Sequence, residues 1–282
     1  MSEAALDIDS FSVERQRARG EARLAVSARD GQSHIERLYQ SGCAKIRMPR
    51  SGHSNPGHRH LESVMINSSG GLTGGDRLDW CFDVAGAASL TVTSQACERV
   101  YKSVSGTAES TVELRIGPHG RLAWLPQETI LFDRGNFTRS IRADLDESSE
   151  GLFVEPIIFG RRAMGEQVIS GALHDSWRIY RGSQLLHGEE FKLSGSIADH
   201  IKSTFVTNGC EAMATLLMVS PRSEGYLAQV RGLIDDCDGA SAWNGKLLAR
   251  LIATDGYMLR KKLVPLIRLL NFEASLPKIW TL

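Results

Sequence analysis

At 282 residues the chain has room for one large domain or two small ones, and 42% hydrophobic with 23% charged residues is the balance of an ordinary globular protein. Lysine plus arginine equals aspartate plus glutamate at 33 each, which leaves no basic footprint for nucleic acid and no polybasic patch for a membrane surface. The five cysteines (Cys43, Cys81, Cys97, Cys210 and Cys237) are widely spaced and form no Cys-x-x-Cys pair, which argues against a structural zinc site and for reduced thiols in the cytoplasm.

Residues 1–18 are acidic, then basic, with no apolar stretch, and are expected to form a mobile tail ahead of a single domain over residues 19–282. Leu24, Val26 and Ala28 alternate with polar residues and predict the first strand. His53, His58 and His60 then sit in a loop-like stretch with Pro56 and Gly57. Imidazole suits nickel or zinc, but Arg59 between two of them disfavours a bound cation, and solvated loop histidines are the expectation.

Four glycines, Gly70, Gly71, Gly74 and Gly75, surround Leu72-Thr73 and are closed by Asp76. Glycine loses the most backbone entropy on folding, so such a cluster belongs where the chain needs positive φ or a close backbone approach. Leu78, Trp80, Phe82 and Val84 alternate directly behind it and predict a half-buried strand. No Gly-Lys-Ser/Thr follows, so the loop is not a phosphate cradle. It is either a turn alone or a turn that presents Asp76 to a polar interior or an interface.

Leu90 and Val92, then Val112, Leu114 and Ile116, continue the period of two, with Gly, Ser, Asp or Asn punctuation between them. A strand ending at Pro126 is expected over the Trp124-Leu125 stretch. No repeat of fixed length is visible. The last third changes character. Tyr226, Leu227, Val230, Leu233 and Ile234 mark a helical face over residues 223–236, with Ser223 as the expected N-cap. Residues 246–254 read as a strand. Residues 255–273 read as a second helix, capped by Asp255 and kinked or split at Pro265. The composite is mainly β with two C-terminal α-helices.

Carboxylates at Asp76, Glu98, Glu155, Glu166 and Glu189 stand in or beside these β-rich segments. Glu155 is flanked by Phe153-Val154 and Pro156-Ile157-Ile158, where a carboxylate is buried, paired or lining a wet path. Arg161 and Arg162 follow closely, and packing alone predicts a salt bridge such as Glu155 with Arg161. There is no Gly-x-Ser-x-Gly elbow and no His-Glu-x-x-His, so catalytic signatures are poor. The enzymatic alternative is a metal-dependent hydrolase using Asp76, Glu155 and the His53/His58/His60 group.

Five segments in order carry a family resemblance: the glycine loop; Thr93-Ser94-Gln95-Ala96-Cys97-Glu98-Arg99-Val100-Tyr101-Lys102; Trp124-Leu125-Pro126-Gln127-Glu128-Thr129-Ile130-Leu131-Phe132; Glu155-Pro156-Ile157-Ile158-Phe159-Gly160-Arg161-Arg162-Ala163-Met164-Gly165-Glu166; and Pro277-Lys278-Ile279-Trp280. Together, from about residue 20 onward, the sequence resembles the UreD (UreH) family of urease accessory proteins. The resemblance implies stacked β-sheets in a β-helix-like arrangement. It also implies a non-enzymatic scaffold that works with UreF, UreG and the urease apoprotein, built of UreA/UreB/UreC-type subunits. In that reading Asp76, Glu98, Glu155, Glu166 and Glu189 line a transient Ni²⁺ path, and no cofactor is held tightly.

Overall fold

Successive strands alternate between two facing sheets. The computed structural model describes residues 17–49, 60–161 and 165–281. One sheet has seven strands: β1 (Arg19–Arg29), β2 (Gln32–Gly42), β5 (Arg77–Val84), β8 (Ala108–Ile116), β11 (Asn136–Leu145), β13 (Ser170–Arg181) and β14 (Gln184–Ser196), in the order β14-β13-β11-β8-β5-β1-β2. The other has ten. Its main path joins β16 (Gly239–Trp243), β17 (Lys246–Ala253), β15 (Ala212–Val219), β12 (Glu150–Phe159), β9 (Arg121–Leu125), β6 (Ser89–Ser94), β4 (His60–Asn67) and β3 (Ala44–Arg47), with β7 (Glu98–Val100) and β10 (Thr129–Leu131) branching off it. From β4 to β13 the chain winds from one sheet to the other and back, so neighbours within each sheet are parallel: β1, β5, β8, β11 and β13 on one side, β4, β6, β9 and β12 on the other. This is the β-helix-like stack that the resemblance implied.

A short third face completes each turn. Leu72 bridges Val100, β7 pairs with β10, and β10 pairs with the far end of β12. Leu72, Val100, Leu131 and Phe159 therefore stack in register, all buried. The first four of the five segments that stood out in the sequence are successive passes of the chain through this one corner.

The period of two has the expected cause. In β5, Leu78, Trp80, Phe82 and Val84 point between the sheets, and in β8 so do Val112, Leu114 and Ile116. Phe82 meets Trp124 of the opposite sheet edge-on at 5.9 Å, a geometry worth about 1 kcal/mol beyond its buried area. The outward face of the seven-stranded sheet carries ion pairs two residues apart along a strand, such as Arg77 with Asp79 and Arg142 with Asp144. β12 is buried on both faces, because a second apolar layer covers the outside of β12, β15 and β17.

That layer is supplied by α3. The short α1 (Ile197–Lys202) and α2 (Leu227–Arg231) precede α3 (Gly256–Leu270). Asp255 caps α3 as expected, its carboxylate accepting from the Met258 amide at 2.9 Å. Pro265 does not split it. The helix continues to Leu270 because Leu259, Leu263, Leu266, Ile267 and Leu270 are all buried against the sheet. The helix expected over residues 223–236 is shorter than its pattern: a 3-10 turn over Ser223–Tyr226 runs into α2, which Gly232 ends. Ser223 lies inside that turn and makes no side-chain cap, which corrects its expected role. α1 was not expected. The tail up to residue 16, with His53, His58 and Arg162, lies outside the described residues.

Candidate functional site

The glycine loop is shaped by what lies against it. A Cβ on Gly71, at φ +145°, would come within 2.4 Å of the Tyr101 ring and 2.7 Å of the Arg99 carbonyl oxygen. At Gly74 it would stand 2.0 Å from Ser103 Oγ. These glycines let neighbouring coils close on each other. Asp76 is buried beneath the loop, and both its oxygens are used: Oδ1 accepts from the Ala18 amide and Oδ2 from the Thr73 amide, each at 2.8 Å. The carboxylate ties the entry of β1 to the loop.

Beside this corner a cavity of about 200 Å³ opens between the sheets. Its mouth includes the exposed Gly70, Gln95 and Arg99, and its floor the buried Trp124, Arg139 and Glu155. Glu98 and Glu155 both line it, while Asp76, Glu166 and Glu189 do not.

Glu98, half-buried at the start of β7, accepts from Asn67 Nδ2 at both oxygens, at 3.1 and 3.2 Å. Burial pushes its pKa up to about 7, against the smaller opposing pull of Asn67. Glu155 is 1% exposed. Its Oε1 accepts from the Trp124 indole at 2.6 Å, and Oε2 lies 2.5 Å from Arg139 Nη1. Burial raises its pKa too; Arg139 opposes that rise, and the charge of Asp175 adds to it. Arg139 in turn grips Asp175 with Nε and Nη2, at 2.9 and 2.8 Å, and donates from Nη1 to Thr129 Oγ1 at 3.1 Å. Burial alone would lower the Arg139 pKa, but Asp175 and then Glu155 raise it on balance. The floor is thus one guanidinium shared by two buried carboxylates.

The expected Glu155–Arg161 salt bridge is not made. Gly160 turns the chain at the end of β12, at φ +84°, and Arg161 pairs instead with Glu166 at 2.5 Å, away from the cavity. Glu189 on β14 is buried against Arg250 of β17 at 2.5 Å, with His187 at 3.7 Å. Burial works to raise its pKa, but the neighbouring His187 and Arg250 outweigh it and hold the carboxyl low. His60 opens β4 with Nδ1 2.9 Å from Ser89 Oγ. Of the residues named for a hydrolase, the described ones do not gather: Asp76 is committed to the loop, Glu155 lies in the cavity floor and His60 stands at the start of β4. Among the described residues one other cluster, Asp235, Cys237 and Asp238, has ligand spacing, but Lys262 Nζ occupies it at 2.8–2.9 Å from the two carboxylates.

The Trp124–Phe132 stretch is mainly a structural joint. Glu128 is held by Arg260 of α3 at 2.9 Å and accepts from the Cys97 thiol at 3.3 Å. Burial first, and Glu128 second, push that thiol up to about 12, so it stays protonated. Arg260 lies 5.2 Å over the Trp280 ring, and the Trp280 indole donates to the Leu125 carbonyl at 3.0 Å. The Pro277–Trp280 segment closes the same corner from outside.

Sequence reasoning missed Arg139 and Asp175. Their signal was parity: Arg139 shares the phase of Phe137 and Ile141, and Asp175 that of Leu173 and Trp177, so each is a charge at a core-facing strand position. Among the described residues no helix is long and apolar enough to cross a membrane.

Comparison with known proteins gives one consistent result. The model of a family described as UreD urease accessory protein matches residues 18–281. The chain is similar to the urease accessory protein UreD of Agrobacterium fabrum (strain C58), 48% identical over 96% of this chain and 93% of the relative. It is similar to that of Rhizobium leguminosarum bv. viciae, 48% identical over 96% and 98%, and to UreD 1 of Brucella melitensis biotype 1, 45% identical over 95% of each. With the family matched over nearly its whole length and relatives this similar end to end, the chain belongs to the UreD family of urease accessory proteins.

Proposed function

We propose that this chain conducts Ni²⁺, as cargo, into urease during assembly of its metal centre, with Glu98 at the cavity mouth and Glu155 at its floor as successive oxygen ligands. The observation that supports this reading is a cavity joining a solvent-facing mouth to a wholly buried carboxylate. Carboxylate oxygens and water hold a divalent ion loosely enough to pass it on, where a cage of thiolates would trap it. Asp76, Glu166 and Glu189 belong to the path only if it extends beyond the cavity. The chain carries out no covalent chemistry and acts in the cytoplasm between UreF with UreG and the urease apoprotein. The strongly exposed Val104, Ile169 and Phe205 suit a surface that a partner covers.

Glu98→Ala tests the conduit. Glu98 is held by the neutral Asn67 amide, and among the described residues no salt bridge joins it to a cation, so its loss orphans none. Reconstituted apo-urease with Ni²⁺ should be activated less by this variant while the recovered complex is unchanged. Full activation, or loss of activity only in step with loss of complex, removes Glu98 from the path. Partner dependence is tested by purification. Alone, the chain should aggregate; with UreF it should form a soluble complex burying at least about 1,000 Å². A soluble monomer that ignores UreF at micromolar concentration would end that expectation.

A further inference from the structure

The cavity floor already holds a cation, in the form of the Arg139 guanidinium. Arg139 is 4% exposed, and two carboxylates grip it from different sides. The grip is unequal. Asp175 takes the full fork, at 2.9 and 2.8 Å. Glu155 Oε2 meets only Nη1, at 2.5 Å, and Nη1 also donates to Thr129 Oγ1. Two carboxylates thus share one positive charge, and Glu155, which meets it through a single nitrogen, lines the cavity.

Behind this point a row of polar residues leads back to the surface at Arg250. Glu155 of β12 is in register with Thr215 of β15, and Thr215 with Arg250 of β17, where Arg250 meets Glu189. Arg139 therefore faces, through Glu155, one end of a row that runs by Thr215 to the Arg250–Glu189 pair.

We propose that Arg139 is a tethered stand-in for a divalent cation, filling the position between Glu155 and Asp175 and closing the inner end of the cavity. A metal ion goes deeper only when the guanidinium leaves. The inference rests on reading the cavity as a cation path. The oxygens that accept from or face the guanidinium belong to Glu155, Asp175 and Thr129, an all-oxygen ligand set that suits a hard or borderline divalent ion. The guanidinium fork is wider than a bare ion, so an ion there keeps some of its water and reaches one carboxylate through it.

The test is a gain of binding. The full chain, fused to a soluble carrier and treated with chelator, is titrated with Ni²⁺ by calorimetry and by competition with a chromophoric chelator. Arg139→Gln should bind Ni²⁺ at least about tenfold more tightly than the unsubstituted chain, and its melting temperature should rise with added Ni²⁺. Arg139→Lys, which keeps the charge, should show no such gain. The triple variant Arg139→Gln/Glu155→Gln/Asp175→Asn should lose it. If Arg139→Gln fails to fold without metal, Ni²⁺ should restore its circular dichroism and should not restore that of a Glu155→Gln/Arg139→Gln pair. Binding no tighter than the unsubstituted chain, equal gain in the triple variant, or a misfolded Arg139→Gln that Ni²⁺ does not rescue overturns the proposal. Failure of the conduit reading shows elsewhere: Glu98→Ala would leave urease activation intact, whatever Arg139→Gln binds.

Discussion

Replacing Glu98 by glutamine should stabilise the protein at alkaline pH and leave it unchanged at acid pH. Burial lifts the Glu98 carboxyl from an ordinary value of 4.5 to about 7 in the folded protein. Because the folded value is the higher one, the folded protein holds this proton longer than the unfolded chain does. Glu98 therefore weakens the fold as pH rises from 4.5, and the loss is complete above about 7. At about 1.4 kcal/mol per pKa unit, the two values give a cost of about 3 kcal/mol at pH 8. That is an upper figure, since Glu98 keeps part of its surface at the cavity mouth. Glutamine has the same shape, can still accept from Asn67, and cannot ionise. Chemical denaturation of the chelator-treated chain at pH 5 and pH 8 reads the difference directly. A Glu98→Gln variant equally stable relative to its parent at both pH values would refute burial as the cause, and with it the enclosed character of the mouth.

Two further outcomes follow from local geometry. Glu155→Ala should cost about 3 kcal/mol, the low end for breaking a buried pair, because Arg139 keeps Asp175 and Thr129. Glu155→Gln should cost less, since it still accepts from Trp124; equal melting temperatures for the two variants would contradict this. Gly71→Ala should cost about 2 kcal/mol through its clash with Tyr101 and Arg99. Gly70→Ala, which meets nothing within 4 Å, should cost about 1 kcal/mol, from its backbone conformation alone. A reversed order in thermal melts would show that the coils do not close on the loop as described.

Strand positions were legible because alternation is local: the core-facing residues of β5 and β8 could be picked out without any knowledge of their partners. So was the Asp255 cap, which needs only four consecutive residues. The stacked corner was not. Leu72, Val100, Leu131 and Phe159 share no sequence pattern, and what relates them is register between coils. The floor of the site was half legible. Glu155 stood out against its apolar neighbours, but its cation comes from the opposite sheet and not from the next basic residue along the chain. The helix over residues 223–236 was overread because its apolar spacing outlasts the point where Gly232 ends it.

The stacked corner also says how this molecule should come apart. Each coil there is templated by the one before, at separations of about thirty residues, so the body is close to one-dimensional and coupled mainly to nearest neighbours. Damage to a terminal coil should fray that end and spare the middle. Damage to the central coils, which carry Glu98, Arg139 and Glu155, should divide one cooperative unit into two. Amide exchange would then be protected in two separate blocks, with the cavity lying at the seam.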